Sequence, residues 1–193
     1  MGVPAMVVDD EPIIRLDVKE ILLKADYGGV LEARNGDEAL RLAYEHRPEL
    51  VIMDVHMPKL NGLQASRQIR KWYDPVIILL TAHYRKEWCV SAREAGASGY
   101  VTKPFTEGGL LMSVEIGFEQ RRKLRELEGD VARLKGKMEE RKIIDRAKGI
   151  LMSRCRLDEA EAYARLRGRS MYERTSLVKT AEAVIMDFEN GIV

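Results

Sequence analysis

The stretch Leu50-Val51-Ile52-Met53-Asp54-Val55-His56-Met57-Pro58 decides the fold. Four apolar residues lead directly into a carboxylate, and a proline closes the run four positions later. A short apolar run bounded by loop residues suits a strand buried on both faces, the kind found in parallel sheets covered by helices. In open α/β sheets, ligands bind beyond the carboxyl ends of the strands, where Asp54 falls. A charge at that place must be solvated, paired or metal-bound.

Four more runs of the same kind surround it. Ala5-Met6-Val7-Val8 leads into Asp9-Asp10-Glu11-Pro12, Val30-Leu31 precedes Asn35-Gly36, Val76-Ile77-Ile78-Leu79-Leu80 ends in Thr81-Ala82, and Gly99-Tyr100-Val101-Thr102 ends in Lys103-Pro104. Helical spacing separates them. Ile13, Leu16, Ile21, Leu22 and Ala25 give a first stripe, Ala39, Leu40, Leu42 and Ala43 a second, and Leu63, Ala65 and Ile69 a third within Gly62–Lys71. A further helix is expected over Lys86–Ala95, stopped by Gly96. The alternation is (βα)5, which predicts an α/β fold with a parallel sheet, right-handed crossovers and helices on both faces.

On that frame Asp9, Asp10, Asp54, Thr81 and Lys103 meet at one edge of the sheet. Three crowded carboxylates repel one another and call for a hard cation. Oxygen ligands in an open site favour Mg2+. With an ammonium opposite and a hydroxyl beside it, such an edge suits acceptance of a phosphoryl group.

These residues resemble a response-regulator receiver domain of the flavodoxin-like fold over residues 3–122. The matching elements are Asp9-Asp10, Asp54 with Met57-Pro58 and Gly62, Thr81-Ala82, and Tyr100-Val101-Thr102-Lys103-Pro104. The resemblance implies Asp54 as phosphoacceptor, with a sensor histidine kinase as partner. It implies Mg2+ on Asp10, Asp54 and the backbone carbonyl of His56, with Asp9 acting through water. Lys103 is expected to contact the phosphoryl oxygens. Thr81 would move to bond the phosphoryl group and let Tyr100 swing inward, and Lys103-Pro104 would be cis. Enzymatic chemistry beyond the chain's own phosphorylation and dephosphorylation is not expected.

After Gln120 the apolar residues thin to Leu124, Leu127, Val131, Leu134 and Met138, an a/d seam. As a parallel dimer it would pair Lys123 with Glu128 and Asp130 with Lys135, but set Lys137 against Lys142. Gly129 and Gly136 each cost about 1 kcal/mol relative to alanine. The seam reads as a dimeric coiled coil, or as a helix packing on its own chain.

Three helical segments follow. Ile143, Ile144, Ala147, Ile150 and Leu151 mark the first. Ala160, Ala162, Tyr163 and Leu166 mark the second, begun at Leu157-Asp158-Glu159 and stopped by Gly168. Leu177, Val178, Ala181, Val184, Ile185 and Phe188 mark the third. The expected division is 1–122, a linker helix at 123–140, and a three-helix domain at 141–193.

The net charge of +1 hides an asymmetry. Residues 1–120 hold 14 Lys/Arg against 18 Asp/Glu, whereas residues 141–179 hold 11 against 5. A basic helical segment suits nucleic acid, although a solvated surface explains the charge equally well. Ala147-Lys148-Gly149-Ile150-Leu151-Met152, Glu161-Ala162-Tyr163, Leu166-Arg167 and Ser170-Met171 resemble an ANTAR output domain over residues 141–186. Ser170 stands where that family usually has alanine. Ser170-Met171 with Glu140-Arg141-Lys142-Ile143-Ile144 resembles the ethanolamine-utilisation antiterminator branch. The resemblance implies binding of paired hairpins in nascent mRNA and prevention of transcription termination. Lys148, Tyr163, Arg167, Arg169 and Lys179 are candidates for the contacts, since RNA loops are read by stacking and by phosphate contacts. Core packing is an alternative for Tyr163, and the main reading of Ile150, Leu151 and Met152. In a different class stands a phosphorylation-controlled module whose terminal helices bind another regulator.

No apolar run approaches the roughly 20 residues of a membrane span. The chain opens directly into a strand, without a basic leader or apolar signal core, and Cys89 and Cys155 form no metal-ligand spacing. Free thiols and a cytoplasmic location are expected.

Overall fold

The computed structural model of the chain describes residues 4–82 and 94–190. They fall into two compact units, divided between Arg125 and Glu126.

The first unit is a parallel sheet in the order β2-β1-β3-β4-β5, formed by β1 (Pro4–Val8), β2 (Gly29–Ala33), β3 (Leu50–Asp54), β4 (Val76–Thr81) and β5 (Gly99–Thr102). Strand order reverses between β1 and β3, which opens a crevice at their carboxyl ends. The interleaved helices are α1 (Pro12–Lys24), α2 (Gly36–His46) and α3 (Gly62–Trp72). Most of the helix expected over Lys86–Ala95, and Cys89 with it, lies outside the described residues.

Side chains alternate along each strand, so the sheet feeds two cores. Met6, Val8, Val51, Met53, Ile77 and Leu79 pack under Ala39, Ala43, Ala65 and Ile69 of α2 and α3. Ala5, Val7, Leu50, Ile52, Ile78 and Leu80 pack under Val18 and Leu22 of α1 and under Leu110 and Val114. Helix α1 buries Val18 and Leu22, flanked by Ile14 and Ile21. Ile13 and Leu16, read as part of its apolar stripe, are exposed.

Local chemistry fixes the helix starts. Pro12 begins α1, Asn35 accepts a hydrogen bond from the Glu38 amide at the head of α2, and Asn61 with Gln64 forms a capping box on α3.

Helix α4 runs unbroken from Glu107 to Cys155 and contributes to both units. It fuses the expected fifth receiver helix, the linker and the first helix of the terminal domain. Gly129, Gly136 and Gly149 stay helical inside it. Leu124, Leu127, Val131, Leu134 and Met138 lie exposed along it.

In the second unit, α5 (Glu159–Tyr172) and α6 (Leu177–Glu189) pack on the last turns of α4. Ala147, Ile150, Leu151, Ala162, Leu166, Ala181 and Val184 form the core. Asp158 and Glu161 make a capping box on α5, and Ser176 caps α6. Gly168 does not stop α5, which continues to Tyr172. Burial of Leu166 and Ser170, two residues to either side of Gly168, holds that segment helical against the glycine's intrinsic cost. The Ser170 hydroxyl donates to the Arg167 carbonyl at 2.9 Å, so a serine is buried there without an unmet polar group.

Candidate functional site

The carboxyl ends of β1, β3, β4 and β5 place their polar residues together. Asp9 follows β1 and is wholly buried, and Asp54 closes β3 at 4% exposure. Thr81 closes β4 and is buried. The Lys103 amide donates to the Thr81 carbonyl at 2.8 Å, extending the β4–β5 ladder by one residue and setting where the lysine begins.

The Lys103 ammonium then lies 2.7 Å from Asp9 Oδ2 and 2.9 Å from Asp54 Oδ1, with Glu11 Oε1 at 3.6 Å. The second oxygens of the two aspartates are also held. Asp9 Oδ1 accepts from the Glu11 amide at 3.0 Å, and Asp54 Oδ2 accepts from the His56 amide at 2.6 Å. Burial pushes the Asp54 carboxyl above its ordinary range, and this outweighs the opposing pull of Lys103. Burial works against the Lys103 ammonium too, but hydrogen bonds to Asp9 and Asp54 more than reverse it and hold its pKa up.

The sequence anticipated three carboxylates crowding one another. The structure gathers Asp9 and Asp54 around a lysine, with Glu11 nearby, and leaves Asp10 exposed. Among the described residues no group of three His, Cys, Asp or Glu side chains is placed to hold a metal ion. The donors at this edge are nevertheless all oxygens, the set a hard cation takes. Tyr100 is 42% exposed on β5. The Lys103–Pro104 peptide is cis, as the resemblance implied.

Gly62 has a direct role in the geometry. A Cβ at that position would run into the carbonyl oxygen of Asp54, so the start of α3 passes over the end of β3 only as glycine.

Arg15 was not anticipated. From the first turns of α1 its Nη1 donates to the carbonyls of Asp9 at 2.8 Å and Asp10 at 3.4 Å. Glu32 of β2 lies 3.6 Å from its Nε and takes Lys19 Nζ at 2.6 Å. The loop bearing both aspartates is therefore tied to α1 and, through it, to β2. Arginine in the second turn of a helix after an acidic pair was the only signal available in the sequence.

In the second unit the anticipated basic residues divide. Lys148 Nζ sits between Asp145 at 2.8 Å and Glu159 at 2.7 Å, and Arg169 is engaged by Glu173 at 2.7 Å and Asp187 at 3.3 Å. Arg167 and Lys179 are exposed and enter no ion pair among the described residues. Tyr163 is 42% exposed rather than packed in the core, and Met152 is also partly exposed. Cys155 is a free thiol. Among the described residues no helix is long and apolar enough to cross a membrane.

A buried acid beside a strand-end lysine, on a five-stranded parallel sheet, followed by a helical unit with a basic stretch at residues 141–179, defines a class. Residues 5–115 match the response regulator receiver domain, and residues 132–185 match the ANTAR domain. The chain belongs to the response regulators that join a receiver domain to an ANTAR domain, a pairing that places an RNA-binding antitermination output under phosphorylation control.

Among its relatives is the transcriptional regulatory protein PdtaR of Mycobacterium tuberculosis, 37% identical over 180 residues that cover 93% of this chain and 88% of that one. Another is the transcriptional regulatory protein YdfI of Bacillus subtilis, 27% identical over 207 residues, 97% of this chain and 96% of that one. Among solved structures, the Vibrio cholerae chemotaxis protein CheY4 is 30% identical with a TM-score of 0.57, covering 60% of this chain and 98% of its own. A LuxR-family two-component response regulator from Aurantimonas is 36% identical with a TM-score of 0.54, covering 60% of this chain and 84% of its own.

Proposed function

We propose that Asp54 accepts a phosphoryl group from a sensor histidine kinase in the cytoplasm, and that the phosphorylated chain, as a homodimer, binds paired hairpins in nascent mRNA and prevents a terminator from forming. The observation that carries the reading is the Asp54–Lys103 pair at the end of β3, in a chain whose residues 132–185 match an ANTAR domain.

In this reading a carboxylate oxygen of Asp54 attacks phosphorus in line, the P–N bond to the kinase imidazole breaks, and the electron pair stays with that imidazole. Lys103 turns its ammonium from the two carboxylates toward a phosphoryl oxygen, and positioning supplies most of the acceleration. Asp10, Asp54 and the His56 carbonyl would hold Mg2+, with Asp9 reaching it through water. When bound, the ion neutralises charge on the phosphoryl oxygens. Thr81 then bonds the phosphoryl group and Tyr100 moves inward, shifting a two-state surface. Leu124, Leu127, Val131, Leu134 and Met138 would be covered by the same helix of a second copy, with Lys123–Glu128 and Asp130–Lys135 attracting across the seam. Two linked output units bind two hairpins with a gain in effective concentration. Tyr163, Arg167 and Lys179 are the contacts this reading favours among the basic and aromatic candidates, since Lys148 and Arg169 are occupied by carboxylates.

The test is a gel shift of a labelled two-hairpin RNA, with and without acetyl phosphate and Mg2+, with sedimentation in parallel. Phosphorylation is expected to tighten binding and convert monomer to dimer. Equal binding by Asp54→Ala and phosphorylated wild type would remove the switch. A second reading, in which the terminal helices bind another regulator, draws on the exposed Met171, Tyr172 and Met186. It is favoured if no RNA is bound in either state.

A further inference from the structure

The second unit contains a cavity of about 180 Å3 between its three helices, lined by Leu151, Cys155, Arg165, Leu166, Arg169 and Val184. We propose that this cavity receives one unstacked purine base from the RNA, with Arg165 reading its edge. The proposal rests on the RNA-binding reading and assigns it a site.

Size limits the occupant. Pockets that hold whole small molecules run from about 300 Å3 upward. This one has room for a single ring system and excludes a complete nucleotide with its sugar and phosphate. The floor is apolar, since Leu151, Leu166 and Val184 are each under 5% exposed. An apolar floor suits the face of a base, which RNA loops offer when they splay bases out of the stack.

The two arginines on the rim differ in what they can do. Arg169 is fixed from two sides, by Glu173 through Nε and by Asp187 through Nη1. Its charge is largely offset and its plane is held, so it serves as a platform for stacking rather than as a phosphate ligand. Arg165 is exposed and enters no ion pair among the described residues. A guanidinium with its fork of donors is matched by the O6 and N7 acceptors of guanine. A guanine is therefore the base this rim favours. The surrounding residues 141–179 hold 11 Lys/Arg against 5 Asp/Glu, a field that attracts a polyanion.

Placement on α5 sharpens the assignment. At about 100° per residue, Arg165 and Arg169 lie on one side of the buried Ala162–Leu166–Ser170 face, and Tyr163 and Arg167 on the other. One helix thus offers two separate edges. The cavity belongs to the edge whose residues combine an apolar floor, a fixed platform and an uncommitted guanidinium, as base reading needs. The opposite edge has an exposed ring and a positive charge but no cavity.

The experiment uses the full chain, treated with acetyl phosphate and Mg2+, and a two-hairpin RNA whose loop guanines are replaced one at a time by 7-deazaguanine. In wild type, one such replacement is expected to weaken binding by roughly tenfold or more. Arg165→Lys keeps the charge and removes the fork. It should bind unsubstituted RNA with the wild-type salt dependence but, with a single ammonium in place of a rigid two-point fork, respond less to 7-deazaguanine at that position. Cys155→Phe fills the cavity without changing charge and should weaken binding of unsubstituted RNA to a similar extent, with circular dichroism confirming its helical content. If Cys155→Phe does not fold, Arg165→Lys, at an exposed position, still decides. Wild-type RNA binding that survives unchanged in Arg165→Lys, with the same response to 7-deazaguanine, overturns the cavity proposal alone. Failure of wild type to bind RNA at all overturns both readings.

Discussion

Lys103 Nζ lies 2.9 Å from Oδ1 of Asp54 although the strands that position them, β5 and β3, are separated by β4. The lysine reaches over the end of the middle strand to a carboxylate that burial disfavours in its charged form. The same ammonium serves Asp9, so one cation compensates two acids at the mouth of the crevice.

Replacing Lys103 by methionine should therefore destabilise the first unit strongly. Asp9 and Asp54 would remain buried without their counter-charge, and breaking a buried pair from one side costs about 3–5 kcal/mol. Urea denaturation followed by circular dichroism measures it. A loss below about 1 kcal/mol would mean that the pair is solvated and contributes no more than a surface ion pair.

Arg15→Ala should leave the core intact and loosen the acidic loop. The guanidinium binds the carbonyls of Asp9 and Asp10, so its loss frees the backbone that aims both side chains. Outer partners of metal ligands typically contribute tenfold to a hundredfold in affinity. Calorimetric titration with Mg2+ is expected to show weakening in about that range, with the thermal midpoint nearly unchanged. Unaltered Mg2+ affinity would reduce Arg15 to a surface contact.

The parts of this architecture that the sequence disclosed are those encoded in short runs. Leu50–Asp54 and Val76–Thr81 could be read as strands because apolar residues ran without a break and a polar residue marked the end. The capping residue Asp158 was equally visible. Contacts made by the fold were not. Glu11 reaches Lys103 from the N-cap of α1, Arg15 holds the Asp9 and Asp10 carbonyls from within that helix, and Glu32 of β2 braces Arg15, contacts that depend on how the elements pack. Gly168 misled because a glycine's cost is small beside the packing of Leu166 and Ser170 on either side of it. Lys148 and Arg169 each have one near partner, Asp145 and Glu173, but the second carboxylates that complete their pairing, Glu159 and Asp187, stand 11 and 18 positions away.

Lys148 supplies a pH prediction. Its hydrogen bond to Asp145 holds that carboxyl below the ordinary range, and the bonds to Asp145 and Glu159 hold the ammonium up. A depressed carboxyl contributes stability above its unfolded pKa, and that contribution disappears as pH falls through the folded value. Lys148→Ala should thus lower the thermal midpoint of the second unit at neutral pH, and the gap to wild type should close in acid below pH of about 4. Melting curves of both proteins across that range decide it. A constant gap at all pH values would trace the effect to the lost aliphatic stem.

The seam on α4 gives the last prediction. Leu134 is 55% exposed on a helix whose apolar residues recur at spacings of three and four, and in the proposed dimer the same helix of a second copy covers it. The residue is exposed and belongs to none of the three hydrophobic cores, so Leu134→Asp should leave the melting of the isolated monomer almost unaffected. In a dimer the same change places two carboxylates against each other in an apolar layer, where an unpaired charge costs several kcal/mol. Sedimentation of the phosphorylated protein should therefore show dimer for wild type and monomer for Leu134→Asp. Lys137→Glu should act in the opposite direction, because it turns the repelling Lys137–Lys142 pair into an attracting one. A dimer that ignored both changes would have to be held by another surface, and the seam would lose its role in pairing the output units.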